Sequence, residues 1–241
     1  MITLRRAEER RHVRGRRYET WFTFSPHDVS ARPGFGELQS LNEERLAPGV
    51  GVPLHAHPAT EIVTYVLEGT LAHKDSKGRS SVINAGEFHR MTSTRAMRHS
   101  EVNASRSQWA HVFQIGLYSP EARLGPSHEQ KRFSAAERRG ILCAIASPDG
   151  RQGSLCIQPD AAIYSAMLDP GRHVVHAISP GRRAWLHVVR GEATLGDVVL
   201  TTGDGAGFEA ERAVSLTARE QTEILLLDLG LGTGGRRRNL V

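Results

Sequence analysis

The sequence predicts an all-β protein built as two small barrels of like plan, and three observations carry that expectation. Short β-branched runs recur between glycine-marked turns along the chain. Two such units repeat: Val66 to Gly69 has a counterpart in Val188 to Gly191, and Ala85-Gly86-Glu87 has one in Thr202-Gly203-Asp204, an offset of about 120 residues. In the polar stretch between the units, one helix start stands out, with Ser134 as N-cap and Glu137 as its capping-box partner. The expected division is residues 1–120 for the first barrel, 121–140 for a connector and 141–241 for the second barrel.

In the first unit, Glu61 to Glu68 reads as a strand, Glu68-Gly69 as a turn and Thr70 to His73 as a returning strand, together a hairpin. A polar turn at Asp75 to Gly78 follows, then a strand from Ser81 to Asn84 that ends at Gly86. Around these elements lie two short stretches, His55-Ala56-His57 and His99-Ser100-Glu101. Each places two ligand-type side chains at i and i+2, which on a strand share one face. Three imidazoles and a carboxylate on neighbouring strands make an N3O donor set suited to iron, copper, nickel, manganese or zinc, with coordination positions left for water, dioxygen or a substrate oxygen. That is a catalytic kind of site in the mouth of a small barrel.

These stretches, with Asn84 to Phe88 and Arg98 to Glu101, resemble the two cupin motifs as the pirin family carries them, in the manner of bacterial quercetinases. Trp21 to Ser25, Glu129 to Phe133, Ser147 to Gly150 and Gly153 to Leu155 are similar to further landmarks of that family, so the likeness spans nearly the whole chain. The resemblance implies a bicupin fold of two double-stranded β-helix (jelly-roll) barrels, with metal in the first barrel only. It also implies His55, His57, His99 and Glu101 as ligands of one divalent transition metal, Fe(II) foremost, with Cu, Mn, Ni, Co or Zn as alternatives. The implied activity is quercetin 2,3-dioxygenation of a flavonol-like phenol by dioxygen, with Glu101 as general base. The alternative is a metal-dependent regulatory protein that acts through a protein partner, since the family includes such members. The sequence departs from the family pattern at Ala56, at Ser93 to Ala96 and at His89, and Arg95 is bulky where relatives have glycine; the roles of His89 and Arg95 stay open.

Other residues are read individually. Glu61 is either a partner of a ligand imidazole or a charge on the barrel rim, and both readings stand. His73, His89 and His111 are expected as hydrogen-bonded core histidines, with His89 also a candidate pocket residue. Counting from the paired glycines puts Ala177, Ser179, Leu216 and Ala218 in the second unit where the first has its ligands, which predicts a barrel without a metal site.

Cys143 and Cys156 have neither metal nor redox spacing and are expected as reduced core thiols. No apolar run is long enough to span a bilayer and the first residues are charged, so a soluble cytoplasmic protein is expected, with no membrane partner. Net charge is +5, yet lysine occurs only at positions 74, 77 and 131. The arginines at Arg5 to Arg17 and at 236–238 are therefore read as solvated ends and not as a nucleic-acid face.

Overall fold

A computed structural model of the chain describes residues 1–25, 34–56, 60–93, 97–119 and 127–231. Four sheets form two jelly-roll units. In the first, a seven-stranded sheet runs in the order Ser127–Arg132, Glu87–Ser93, Thr60–Glu68, Ala110–Tyr118, Leu38–Leu46, Tyr18–Phe24 and Arg11–Arg14. It faces a four-stranded sheet of Gly51–Ala56, Arg98–Asn103, Thr70–Asp75 and Ser80–Asn84. The second unit repeats the plan: Gly205–Glu209, Arg183–Arg190, Thr222–Leu229 and Ala161–Leu168 are consecutive in its large sheet, and His173–Ala177, Ala213–Ala218, Glu192–Leu195 and Val198–Thr201 make its small one.

The hairpin expected about Gly69 does not form. Thr60–Glu68 pairs with Ala110–Tyr118 and Glu87–Ser93, whereas Thr70–Asp75 pairs with Arg98–Asn103 and Ser80–Asn84. Gly69, at φ +75°, turns the chain from one sheet into the other, and a Cβ there would stand 2.5 Å from the Trp109 carbonyl oxygen. A tight turn between two strands is the same local signal whether they pair or part. The polar turn at Asp75 to Gly78 does close a hairpin, between Thr70–Asp75 and Ser80–Asn84. The helix start behaves as expected: Glu137 N–H donates to Ser134 Oγ at 3.2 Å, and Ser134 N–H to Glu137 Oε2 at 2.7 Å.

The largest apolar core lies between the units. Val63, Tyr65, Phe113, Ile115 and Leu117 of the first large sheet pack with Ile163, Trp185, Leu225, Leu227 and Leu229 of the second. Strand alternation then turns Ile62, Thr64, Val112 and Gln114 into the first barrel, and Ala184, Leu186, Ile224 and Leu226 into the second. The first strand crosses this boundary, and the connector stretch adds a strand of its own. Ile2–Arg5 joins the second unit's sheet beside Gly205–Glu209, and Ser127–Arg132, within the stretch read as connector, joins the first beside Glu87–Ser93.

The arginines of the first stretch are not all solvated ends. Arg5 is buried over the Phe24 ring, 5.2 Å from its centroid, and Arg10 is buried with Nη1 2.7 Å from Glu43 Oε2. Both serve the seam between units, where a guanidinium satisfies a buried carboxylate or an aromatic face. Residues 236–238 lie outside the described residues. Cys143 is half-buried against the central core, but Cys156 is exposed: it follows buried Leu155 in the strand Leu155–Cys156, so alternation points it outward.

Candidate metal centre

The strand Arg98–Asn103 lies between Gly51–Ala56 and Thr70–Asp75, with His99 opposite His55 on one side and Glu101 opposite His73 on the other. The close approach of the first pair needs glycine, because a Cβ on Gly51 would fall 2.0 Å from the Glu101 carbonyl oxygen. His99 and Glu101 point into the barrel and are each 2% exposed, so any charge they carry is shielded from bulk water.

Hydrogen bonds order the imidazoles. His55 Nδ1 is 2.8 Å from the Pro53 carbonyl oxygen, and because a carbonyl only accepts, in the neutral ring that nitrogen carries the proton and Nε2 keeps its lone pair. His99 Nε2 stands 3.1 Å from that lone pair, and His99 Nδ1 stands 3.2 Å from His73 Nε2. His73, read from sequence as a core histidine, is thus in direct contact with the candidate ligands. Burial pushes its pKa down to about 4. The side-chain donor atoms of His73, His99 and Glu101 all lie within 4.8 Å of one another.

Glu101 accepts hydrogen bonds from Gln114 Nε2 and, at 3.5 Å, from Thr64 Oγ1. Burial raises its pKa to about 8, with help from the charge of Glu44, whose own pKa burial raises to about 7. No cationic side chain figures among the groups that shift either carboxyl. Among the described residues, then, two interior carboxyls have no matching cation, beside imidazole nitrogens that converge. Two donors at about 2.1 Å from one ion and at right angles stand about 3.0 Å apart, close to the His55–His99 separation. The residues present fit a first-row divalent metal.

His57 and Arg95 lie outside the described residues. Glu61 meets neither expectation. It is fully buried, accepts from Thr92 Oγ1 at 3.1 Å and lies 3.6 Å from Arg90 Nε, on the strand face shared with Val63 and Tyr65 that turns away from the barrel interior. Parity counted from His55 fails because the chain changes sheets before Thr60. Desolvation outweighs Arg90 and leaves the Glu61 pKa raised to about 7. His89 is buried with its ring centroid 4.8 Å from that of His73, and His111 Nε2 is bonded to Glu43 Oε1 at 2.8 Å.

Thr64, Gln114 and Glu44 are not singled out by the sequence, which reads His73 only as a core histidine. The strand alternation about Thr64 and Gln114 points both inward, but only knowledge of which face is interior would have selected them.

The second barrel supplies the contrast. Matching registers place Leu186 and Leu226 where the first barrel has Thr64 and Gln114, Ala206 where it has His89, and Ala166 where it has Glu44. Leu195, Val214 and Leu216 take the places of His73, His99 and Glu101, and His176 that of His55. The count from the glycines thus misses by one or two residues; for Val214 and Leu216 the reason is that the stretch from Gly203 to Ala213–Ala218 is two residues shorter than the one from Gly86 to Arg98–Asn103. Apart from His176, these residues form a continuous apolar cluster inside the barrel. His176 Nε2 instead bonds Asp228 Oδ2 at 2.7 Å.

The pirin family model matches residues 3–117, and the model of the quercetinase C-terminal cupin domain matches residues 144–229. A quercetin 2,3-dioxygenase of Escherichia coli is 38% identical over 232 residues, 95% of this chain and 99% of that protein. This chain belongs to the pirin family. A pirin-like protein of Caulobacter vibrioides is 30% identical over 86% of this pirin and 89% of its own length. Among solved structures, YhhW from Escherichia coli superposes with a TM-score of 0.89 at 38% identity, over 95% of this pirin and 97% of that chain. The nickel(II) complex of the same bacterial pirin superposes with a TM-score of 0.87 at 36% identity, over 95% and 99% of the two chains.

Proposed function

We propose that this pirin is a metal-dependent dioxygenase acting on flavonol-like phenols, with His55, His57, His99 and Glu101 as the ligands and Glu101 as the proton acceptor. The observation that carries the reading is the meeting of His55 Nε2 and His99 Nε2 at 3.1 Å beside the buried Glu101 carboxyl, which no side-chain cation among the described residues balances. The quercetin 2,3-dioxygenase name of the 38%-identical relative supports the substrate class. A bound divalent ion would lower the pKa of an enolic hydroxyl and orient the resulting anion toward dioxygen.

The chain's own groups do the rest. Glu101 takes the hydroxyl proton on a carboxylate oxygen, while Gln114 and Thr64 hold that carboxylate in place. Ile62, Met91 and Met97 provide an apolar wall inside the same barrel. Fe(II) is the proposed native ion; nickel(II) is what the Escherichia coli pirin holds in its complex. A cytoplasmic location is part of the same proposal; separately, no helix among the described residues is long and apolar enough to cross a membrane.

The test is anaerobic purification with elemental analysis, then oxygen uptake with quercetin and other phenols after loading Fe, Cu, Mn, Ni or Co. Uptake that depends on metal and flavonol together is expected. No oxygen uptake with any flavonol after loading with each of these metals would overturn the reading in favour of a regulatory role through a protein partner.

A further inference from the structure

We infer that His73 is a positioning residue for the metal centre: it changes tautomer when the ion binds, so that His99 can present a bare Nε2 to the metal and still bond its Nδ1–H. The inference rests on the ligand set proposed above. It starts from a chain of contacts among the described residues that orders the protons of neutral rings when no ion is present. His55 Nδ1–H donates to Pro53 at 2.8 Å, so His55 Nε2 can only accept. His99 Nε2, 3.1 Å away, is therefore the donor of that contact, which leaves His99 Nδ1 without a proton. His73 Nε2, 3.2 Å from that bare nitrogen, must then carry a hydrogen and donate it. The thioether sulfur of Met91, 3.3 Å from the same His73 nitrogen, is a weak acceptor on the same side.

If His55 Nε2 and His99 Nε2 held a metal, this order would break. Both nitrogens must offer lone pairs, so the His99 proton moves to Nδ1 and the ring stays neutral. Its new N–H faces His73 Nε2 in a space that is 2% exposed at both residues. Two N–H groups cannot share that contact. His73 must release the proton from Nε2 and carry one on Nδ1, so that His73 Nε2 accepts from His99 Nδ1–H. Each ring has one proton before and after, so no charge is created by the rearrangement. The result is the outer-shell bond that fixes the orientation and raises the basicity of a metal-bound imidazole. Leucine at the corresponding place in the second barrel, Leu195, could perform neither half of the exchange.

Two measurements on the full chain test this. In long-range 1H–15N spectra of wild-type protein, His73 should show the Nε2–H tautomer without metal and the Nδ1–H tautomer with Zn(II), while His99 switches in the same sense. An unchanged His73 tautomer, or 15N shifts that place Zn(II) on His73 itself, would overturn the inference. Zn(II) affinity of variants gives the second measurement. H73L should bind about 10- to 100-fold more weakly, whereas H73Q, whose amide offers both an acceptor and a donor, should stay within about threefold of wild type. Wild-type affinity in folded H73L, or an equal loss in folded H73Q, would also overturn it. H55A separates the two levels: if it binds Zn(II) as wild type does, the ligand set itself is wrong whatever His73 does.

Discussion

Arg138 Nη1 lies 2.7 Å from Glu223 Oε1 in the layer between the barrels, and Tyr65 OH donates to the same oxygen at 2.5 Å. Arg138 comes from the short helix Ala135–Arg138, Tyr65 from the first barrel and Glu223 from the second, so one buried ion pair joins three parts of the chain. Burial and the Glu223 charge raise the Tyr65 pKa, which keeps the phenol a donor.

Removal of that guanidinium should be costly, since a buried charge without its partner costs about 3–5 kcal/mol. Arg190, with Nη2 2.8 Å from Glu223 Oε2, offsets part of this. R138A should therefore lose about 2–4 kcal/mol in urea unfolding. The double variant R138M/E223L should recover most of the loss. If R138A unfolds at the wild-type midpoint, the pair does not hold the barrels together.

The H55A/H57A variant should lose metal binding and keep its fold, because the barrel strands are held by apolar clusters about Val66, Leu71, Ile83 and Val112. Elemental analysis and circular dichroism read the two outcomes separately. An unfolded variant would make the ion structural.

For E101Q, quercetin consumption should fall by about 10²-fold or more after metal loading, the range for loss of a general base. The amide can retain an oxygen ligand but accepts no proton at neutral pH. A loaded variant as fast as wild type would take the base role from Glu101.

Stability should depend on pH with two opposite signs. Burial raises the folded pKa of Glu44 and Glu61 to about 7 and of Glu101 to about 8, against 4.5 ordinarily. The unfolded chain ionises first, so the metal-free protein should lose stability as pH rises from about 4.5 through about 8. A divalent ion that pairs with Glu101 should flatten this slope. Glu43 runs the other way: burial alone would raise it, but bonds from His111 and Arg10 hold it down to about 2. Its contribution should be complete above pH 4.5 and vanish as pH falls toward about 2. Thermal melts across pH, with and without metal, measure both.

Features that depend on near neighbours were readable from the residues alone: the shared strand face of His99 and Glu101, the Ser134–Glu137 capping box, the Asp75 to Gly78 turn and the apolar alternation of two repeated units. Strand period and turn chemistry act over a few residues, so these were legible without a partner. Only the tertiary structure decided which strands pair across sheets. It parted the expected hairpin at Gly69, turned Glu61 away from the barrel interior, shifted the second-barrel count to Val214 and Leu216, and buried Arg5, Arg10 and Arg138 in the seam. It also brought His73, Thr64, Gln114 and Glu44 to Glu101 and His99. These residues come from four further strands, and only sheet pairing and closure over long sequence separations bring them together, which no local pattern encodes.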